Sequence, residues 1–292
     1  MPASATPTLD SAVSLPDGRT LAYAEWGDPD GVPVVLLHGS PGSRLMCPDS
    51  EATVRAGVRL ITFDRPGYGR SDPVVGRDLL DFVPDLAYLA DHLGIDTCPV
   101  IGWSGGGPFA VACGRAAANR FDRVGLVSSP GPELLMPVED SRLTDRARDL
   151  QSRIGIGDQS VIDEVRALYG FYADNPLALL ESALASEDNP DRHVLLRPDV
   201  TEAFRTMWTE GGRQGAEGLV VDWRATALGW GFPLSEVGVR VEVWHGDADR
   251  IVPITHGYYL AQELPDAVLS VYPGEGHSIA STHWEEMLAA VT

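Results

Sequence analysis

The chain has 292 residues, 44% hydrophobic and 22% charged, with no low-complexity run; this is enough for one large core, or a core with a smaller subdomain, and confines any expected disorder to the first dozen residues. A formal net charge of -20 repels phosphate backbones and anionic lipid, so nucleic-acid and membrane partners are disfavoured and the charge reads as solubility. All 22 basic residues are arginine, which excludes chemistry that needs a lysine amine: Schiff bases, a pyridoxal-phosphate anchor or a lysine-bearing phosphate loop.

Cys47, Cys98 and Cys113 are odd in number and scattered, so they form neither a disulfide framework nor a metal-ligand spacing. Residues Met1 to Pro7 lack the basic and apolar regions of a secretory leader, and no apolar run is long enough to span a bilayer. A cytoplasmic setting is expected.

In chain order, Thr20 to Trp26 alternates like a half-buried strand. Pro33 to Leu37 and Val58 to Phe63 are continuous apolar runs, as strands covered on both faces should be. Apolar residues at Leu79, Phe82, Val83, Leu86, Ala90 and Leu93 predict a helix over 79–93, with Pro84 tolerable only near its first turn. The run Cys98 to Ile101 predicts a strand, Pro108 to Gly114 a small-residue helix, and Arg123 to Ser128 another strand. Late in the chain come strands at Val239 to Trp244 and Ala267 to Tyr272, with helices at about 255–264 and 279–291. Such alternation implies an α/β fold, a mostly parallel sheet with helices on both faces. Between residues 133 and 236 there is no strand pattern, only helical ones such as Val161 to Leu168 and Leu177 to Leu184. The expected organisation is therefore a sheet-bearing core over 1–132 and 237–292, interrupted by a helical cap over 133–236. That cap should cover the C-terminal edge of the sheet, where open α/β sheets bind ligands.

Gly102-Trp103-Ser104-Gly105-Gly106 lies between the Cys98 to Ile101 strand and the small-residue helix. Strand, glycine-flanked serine and helix make a nucleophile elbow: the close crossing leaves no room for side chains at the glycines, and the serine hydroxyl stands clear beside a helix N-terminus. A serine nucleophile needs a base, and the base an orienting carboxylate. Of the seven histidines only His277 sits in a glycine-flanked loop directly after a late strand; His92, His193, His256 and His283 read as structural or surface residues. For the carboxylate, Asp247 and Asp249 compete in the loop after Trp244. Asp247 follows the glycine turn and suits bonding to nearby backbone N–H groups, whereas Asp249 lies further round and is preferred. Two backbone donors should form the oxyanion hole: Gly105, next to the nucleophile, and Ser40 in the loop His38-Gly39-Ser40-Pro41-Gly42. The Ser40 hydroxyl either reaches the oxyanion or caps the loop, and His38 is read as a support for that loop. Trp103 is expected to pack behind the elbow, away from substrate.

At this point the chain resembles the α/β-hydrolase fold family, which includes esterases, epoxide hydrolases, prolyl aminopeptidases and carbon–carbon hydrolases. His38 to Gly42 resembles its oxyanion loop, Asp64-Arg65-Pro66-Gly67-Tyr68-Gly69-Arg70-Ser71 its "DxxGxGxS" turn, Gly102 to Gly106 its elbow, Gly246 to Asp249 its acid loop and Gly276-His277 its base loop. The resemblance implies an α/β-hydrolase fold, with a Ser104, Asp249, His277 triad in the family's chain order. A serine nucleophile departs from the aspartate-dependent epoxide hydrolases and dehalogenases, and Ser40 from the second glycine usual in prolyl aminopeptidases. The expected activity is hydrolysis, through an acyl-enzyme, of an ester, lactone or amide of a small apolar substrate, with neither metal nor organic cofactor. A prolyl-aminopeptidase-like peptidase, a carbon–carbon hydrolase, a biosynthetic lyase, cyclase or acyltransferase, and a non-hydrolytic receptor are the alternatives. The expected partner is the small-molecule substrate, and a monomer or a homodimer is compatible with the sequence.

Overall fold

The computed structural model describes residues 6–141 and 143–292; residues 1–5, most of the stretch expected to lack a leader, lie outside the described residues. Strands β1 (Leu9–Ser14), β2 (Thr20–Gly27), β3 (Val32–Leu37), β4 (Val58–Phe63), β5 (Val100–Trp103), β6 (Arg123–Val127), β7 (Arg240–Gly246) and β8 (Ala267–Tyr272) form one sheet in the order β1-β2-β4-β3-β5-β6-β7-β8. Helices α1 (Ser50–Arg55), α2 (Val83–His92) and α3 (Gly107–Ala116) connect its first half. Between β6 and β7 the described residues form no strand but α4 (Val138–Ser141), α5 (Asp145–Gly155), α6 (Gln159–Asp174), α7 (Leu177–Ala185), α8 (Arg192–Leu195), α9 (Pro198–Gly211) and α10 (Glu217–Ala227). Helices α11 (Ile254–Glu263) and α12 (Ala280–Val291) complete the chain. Among the described residues no helix is long and apolar enough to cross a membrane.

From β4 through β8 the pairings are parallel, as expected, but β2 runs antiparallel to both β1 and β4. The sheet is therefore mostly parallel, with an antiparallel edge at β1 and β2. The turn Leu15-Pro16-Asp17-Gly18, where Gly18 takes φ 89°, doubles the chain back from β1 into β2 as a hairpin. β1 itself was not foreseen. It is mostly exposed and is held by main-chain pairing with β2, so it has no apolar pattern to read. The helix expected from Leu79 starts at Val83, with Pro84 in its first turn. Leu79 and Phe82 are buried in turns instead, so the apolar stripe there records burial and not helicity.

Alternation along β3 divides the core. Val35 and Leu37 face a cluster with Val100, Phe109 and Leu126, while Val34 and Leu36 face one with Ile101, Trp103, Val127 and Trp284. The second cluster runs on into Leu180, Val200, Phe204 and Met207 of the inserted helices. A separate small core of Ile154, Val161, Ile162, Val165, Val220 and Ala227 lies within the insertion.

At the sheet centre β5 and α3 cross so closely that a Cβ on Gly102 would fall 2.5 Å from Gly106 O and 2.7 Å from Gly107 Cα. Both neighbours are backbone and cannot swing aside. Gly102→Ala should therefore lower the unfolding free energy by about 1–3 kcal/mol in urea titration. Wild-type stability would mean that the crossing is looser than described.

Candidate active site

Ser104 follows the extended Trp103 and takes φ 52°, a left-handed conformation unfavourable for an L-residue with a side chain. It is half-buried at the C-terminal end of β5, and α3 begins three residues later. The loop after β3 is pressed against it. A Cβ on Gly39 would sit 3.5 Å from Ser104 Cβ, and one on Gly105 would sit 2.8 Å from Ser40 Cβ and 3.2 Å from Ser40 N. Gly39, Ser40 and Gly105 are thus packed around the serine, as the sequence pattern suggested.

His277 lies in the loop after β8, and its Nδ1 is 2.8 Å from Asp249 Oδ2. The other Asp249 oxygen accepts the Ile251 and Val252 N–H groups at 2.8 and 2.9 Å, which fixes the carboxylate. Asp247 is exposed, and its Oδ1 accepts the Gly274 N–H at 2.6 Å. Of the two competing aspartates, Asp249 is the one on the histidine and Asp247 pins the turn after β8. Burial would lower the His277 pKa, but the Asp249 charge and hydrogen bond, with Asp191 behind them, outweigh it and raise the pKa above the ordinary imidazole value. Burial pushes the Asp249 carboxyl up, and His277 above all, with His245 and the Val252 N–H, reverses that for a net lowering. His245 lies 3.6 Å from the same carboxylate oxygen; burial lowers its pKa, and its Nε2 donates to Val252 O at 2.8 Å. Ser104 and His277 share the C-terminal edge of the sheet, and no hydrogen bond joins the Ser104 hydroxyl to the imidazole among the described residues.

The remaining histidines have other employment. His38 is buried, its Nδ1 is 2.7 Å from Gly39 O and its Nε2 accepts the Arg65 N–H at 3.2 Å. Burial, with the Arg65 charge, holds its pKa well below the usual value, so it supports the loop as a neutral ring. His256 is buried and accepts the Gly131 N–H at 3.0 Å; His193 and His92 are exposed; His283 pairs with Glu275 at 2.7 Å.

Around the loop after β3 lies a buried ionic cluster that sequence reasoning missed. Arg65 donates from Nη1 to His38 O, and from Nη2 to Gly39 O at 3.2 Å, Ser40 Oγ at 2.8 Å and Asp222 Oδ2 at 2.7 Å. Its Nε also reaches Asp222 Oδ2 at 3.0 Å, as does the Tyr68 hydroxyl at 2.9 Å. Arg77 Nη2 takes the other Asp222 oxygen. The Ser40 hydroxyl donates to Asp222 Oδ2 at 3.2 Å, so it holds the loop and is not free to reach an oxyanion. Burial pushes the Asp222 carboxyl up, and the two guanidiniums pull it below its ordinary value. Asp191 was missed as well: its two oxygens accept the His277 and Ser278 N–H groups at 2.8 and 2.7 Å. The available signals were Arg65, inside the "DxxGxGxS" turn, and Asp222, an acid between Val221 and Trp223.

Two cavities adjoin the site. One of ≈ 190 Å³ is walled by Ser40, Gly105, Phe109, Glu133, Tyr169 and Trp223. The other, of ≈ 550 Å³, lies between Trp26, Met46, Trp103, Phe204 and Met207. Trp103 is buried and its indole N–H donates to His277 O at 3.3 Å, but its ring also faces this larger space. Phe204 of α9 lies against the same ring, with centroids 5.7 Å apart.

The sequence profile described as the alpha/beta hydrolase fold matches residues 32–283. The chain is 30% identical over 292 residues to a non-heme chloroperoxidase of Streptomyces lividans, covering 94% of this chain and 95% of that one. It is 27% identical over 285 residues to a bifunctional esterase/perhydrolase of Acinetobacter calcoaceticus, covering 94% and 95%. A crystal structure of a bromoperoxidase from Bacillus anthracis matches with a TM-score of 0.69 and 25% identity, covering 97% and 98%. The chain belongs to the alpha/beta hydrolase family and is an enzyme of that class.

Since the Asp249 charge raises the His277 pKa, Asp249→Asn should shift the His277 titration to lower pH, while Asp247→Asn should leave it in place. NMR titration of the imidazole Cε1 proton measures both, and a shift in the Asp247 variant alone would reverse the assignment of the two carboxylates.

Proposed function

We propose that this enzyme is a serine hydrolase in which Ser104 is the nucleophile, His277 the general base and Asp249 the carboxylate that orients and stabilises the imidazolium. The Ser40 and Gly105 N–H groups serve as oxyanion donors, and the helices between residues 133 and 236 act as a cap. The observation that carries this reading is the 2.8 Å His277–Asp249 hydrogen bond at the sheet edge that also bears Ser104 at positive φ.

His277 accepts the Ser104 proton at Nε2 as the hydroxyl oxygen bonds to the acyl carbon. The carbonyl electron pair moves onto oxygen, where each well-placed donor contributes about 3–4 kcal/mol. Collapse expels the alcohol or amine, which takes the proton from His277. Water then attacks the acyl-enzyme, again deprotonated by His277, and releases the acid and the serine. The ≈ 190 Å³ cavity is bounded by both proposed oxyanion residues, so the group bound to Ser104 extends into it. Its size and its walls of Phe109, Tyr169, Trp223 and Trp230 favour a compact apolar or aromatic acyl group.

A second reading, perhydrolysis, is favoured by the relatives described as a chloroperoxidase and an esterase/perhydrolase. It uses the same acyl-enzyme: hydrogen peroxide replaces water, His277 takes its proton, and the products are a peracid and free Ser104. Hydrogen peroxide added to a p-nitrophenyl ester assay separates the two, because peracid accumulation supports perhydrolysis and unchanged acid yield supports hydrolysis alone.

A fluorophosphonate probe should add its mass to Ser104 and to no site in Ser104→Ala, which should also lose at least about 10³-fold in kcat. A folded wild-type protein that takes no label would sink the serine-hydrolase reading. The rate also has a predicted pH sign. The base must be neutral, and its pKa is raised, so kcat/KM should rise with pH through a midpoint above 6.5. A midpoint below that value would contradict the His277–Asp249 pairing as the active base.

A further inference from the structure

We infer that Asp191 and Asp222, both carried by the inserted helices, are positioning residues: Asp191 fixes the base loop and Asp222 the oxyanion loop, so the reacting geometry is assembled only while the cap is seated. This inference rests on the Ser104, His277, Asp249 reading above.

Asp191 stands immediately before α8 and is buried, with 6% of its surface exposed. Its two oxygens grip the N–H groups of His277 and of Ser278, one oxygen to each, at 2.8 and 2.7 Å. These donors lie in the turn just ahead of α12, before its N-cap residue Ile279. A bidentate grip on two successive peptides fixes both the position and the tilt of the backbone that carries the imidazole. The fit needs residue 276 to lack a side chain, since a Cβ on Gly276 would overlap the Asp191 carboxylate.

Asp222 does the equivalent work on the other loop. It projects from α10, is 3% exposed, and collects Arg65, Arg77, Tyr68 and Ser40 on its two oxygens. Arg65 passes this anchorage on, because the same guanidinium holds the carbonyls of His38 and Gly39. Those two peptides immediately precede the Ser40 N–H proposed as an oxyanion donor. With Asp222 withdrawn, two buried guanidiniums lose their counter-charge and the loop loses its tether.

The test uses the full-length protein with Asp191→Asn and Asp222→Asn. Amide hydrogen exchange at 277–278 should speed up in the first variant and at 38–42 in the second. Fluorophosphonate labelling and kcat should fall at least about tenfold in both, with KM changed much less. The pH profiles should differ. His277 faces the carboxylates of Asp249 and Asp191, with His245 behind Asp249, so removing the Asp191 charge should move the acid limb of kcat/KM to lower pH. Asp222 acts on His38 and the arginines, so its variant should leave that limb in place. Should either variant fail to fold, Gly276→Ala displaces the Asp191 carboxylate while keeping its charge, and Arg65→Lys keeps the charge opposite Asp222 while losing the fork; each should show the same fall in kcat. Wild-type labelling and kcat in folded variants would overturn the inference and leave the hydrolase reading standing. No labelling of the wild type would overturn the hydrolase reading and, with it, the catalytic part given to the two carboxylates.

Discussion

The close crossing of β5 and α3 is the constraint on which the rest of this molecule depends. It forces Ser104 into a left-handed backbone conformation, at a cost of about 1–3 kcal/mol for a residue with a side chain. That strain persists because both elements are locked in place: Val100, Ile101 and the run Phe109 to Cys113 are fully buried. The same crossing demands glycine at 102, and glycine at 106, where a Cβ would overlap the carbonyls of Leu37 and His38. The loop after β3 is thereby drawn to the elbow. One packing requirement thus sets both the exposure of the serine hydroxyl and the approach of the loop that borders it.

Charge is distributed to suit this arrangement. With no lysine in the chain, every buried cation is a guanidinium, whose planar fork can bridge several acceptors where an ammonium offers a single point of charge. Arg65 uses this to reach two carbonyls, a hydroxyl and a carboxylate at once. Arg44 joins Asp64 of the turn after β4, at 2.8 Å, to Glu210 of α9, at 2.6 Å. Gln214 adds donations to the carbonyls of Gly69 and Ser71 at 3.0 and 2.8 Å. These polar ties of the inserted helices go to the loops at the sheet's C-terminal edge, while the apolar contacts run through Phe204 and Met207 to the Trp103 face. The insertion is held where chemistry would occur.

How much of this was legible follows from which forces leave a mark in the sequence. Two-sided burial writes continuous apolar runs, so β3 and β4 could be placed to within a residue. Steric exclusion writes glycines, so the elbow could be recognised and Gly105 set beside Ser40. Main-chain pairing writes almost nothing, which is why β1 escaped notice. The apolar stripe at 79–82 misled because burial in a turn and burial on a helix select the same residues. Long-range ion pairs are the least visible. Asp191 sits in the polar run Ser186-Glu187-Asp188-Asn189-Pro190-Asp191, which reads as an exposed loop. Asp222, by contrast, is one acid between Val221 and Trp223 on an amphipathic helix, and an acid so placed is the trace a buried pair leaves.

On the proposed reading, the insertion makes two kinds of contact that place different demands on sequence. Tyr169 and Trp223 wall the smaller cavity, and Val200, Phe204 and Met207 wall the larger. Such walls need only apolar bulk of suitable shape, and many side chains supply it. Asp191 and Asp222 must instead offer carboxylates at fixed points to donors already buried, a requirement that one residue type meets at each position. The helices between β6 and β7 therefore have wide freedom in what they admit to Ser104 and little freedom in how they attach to the loops around it.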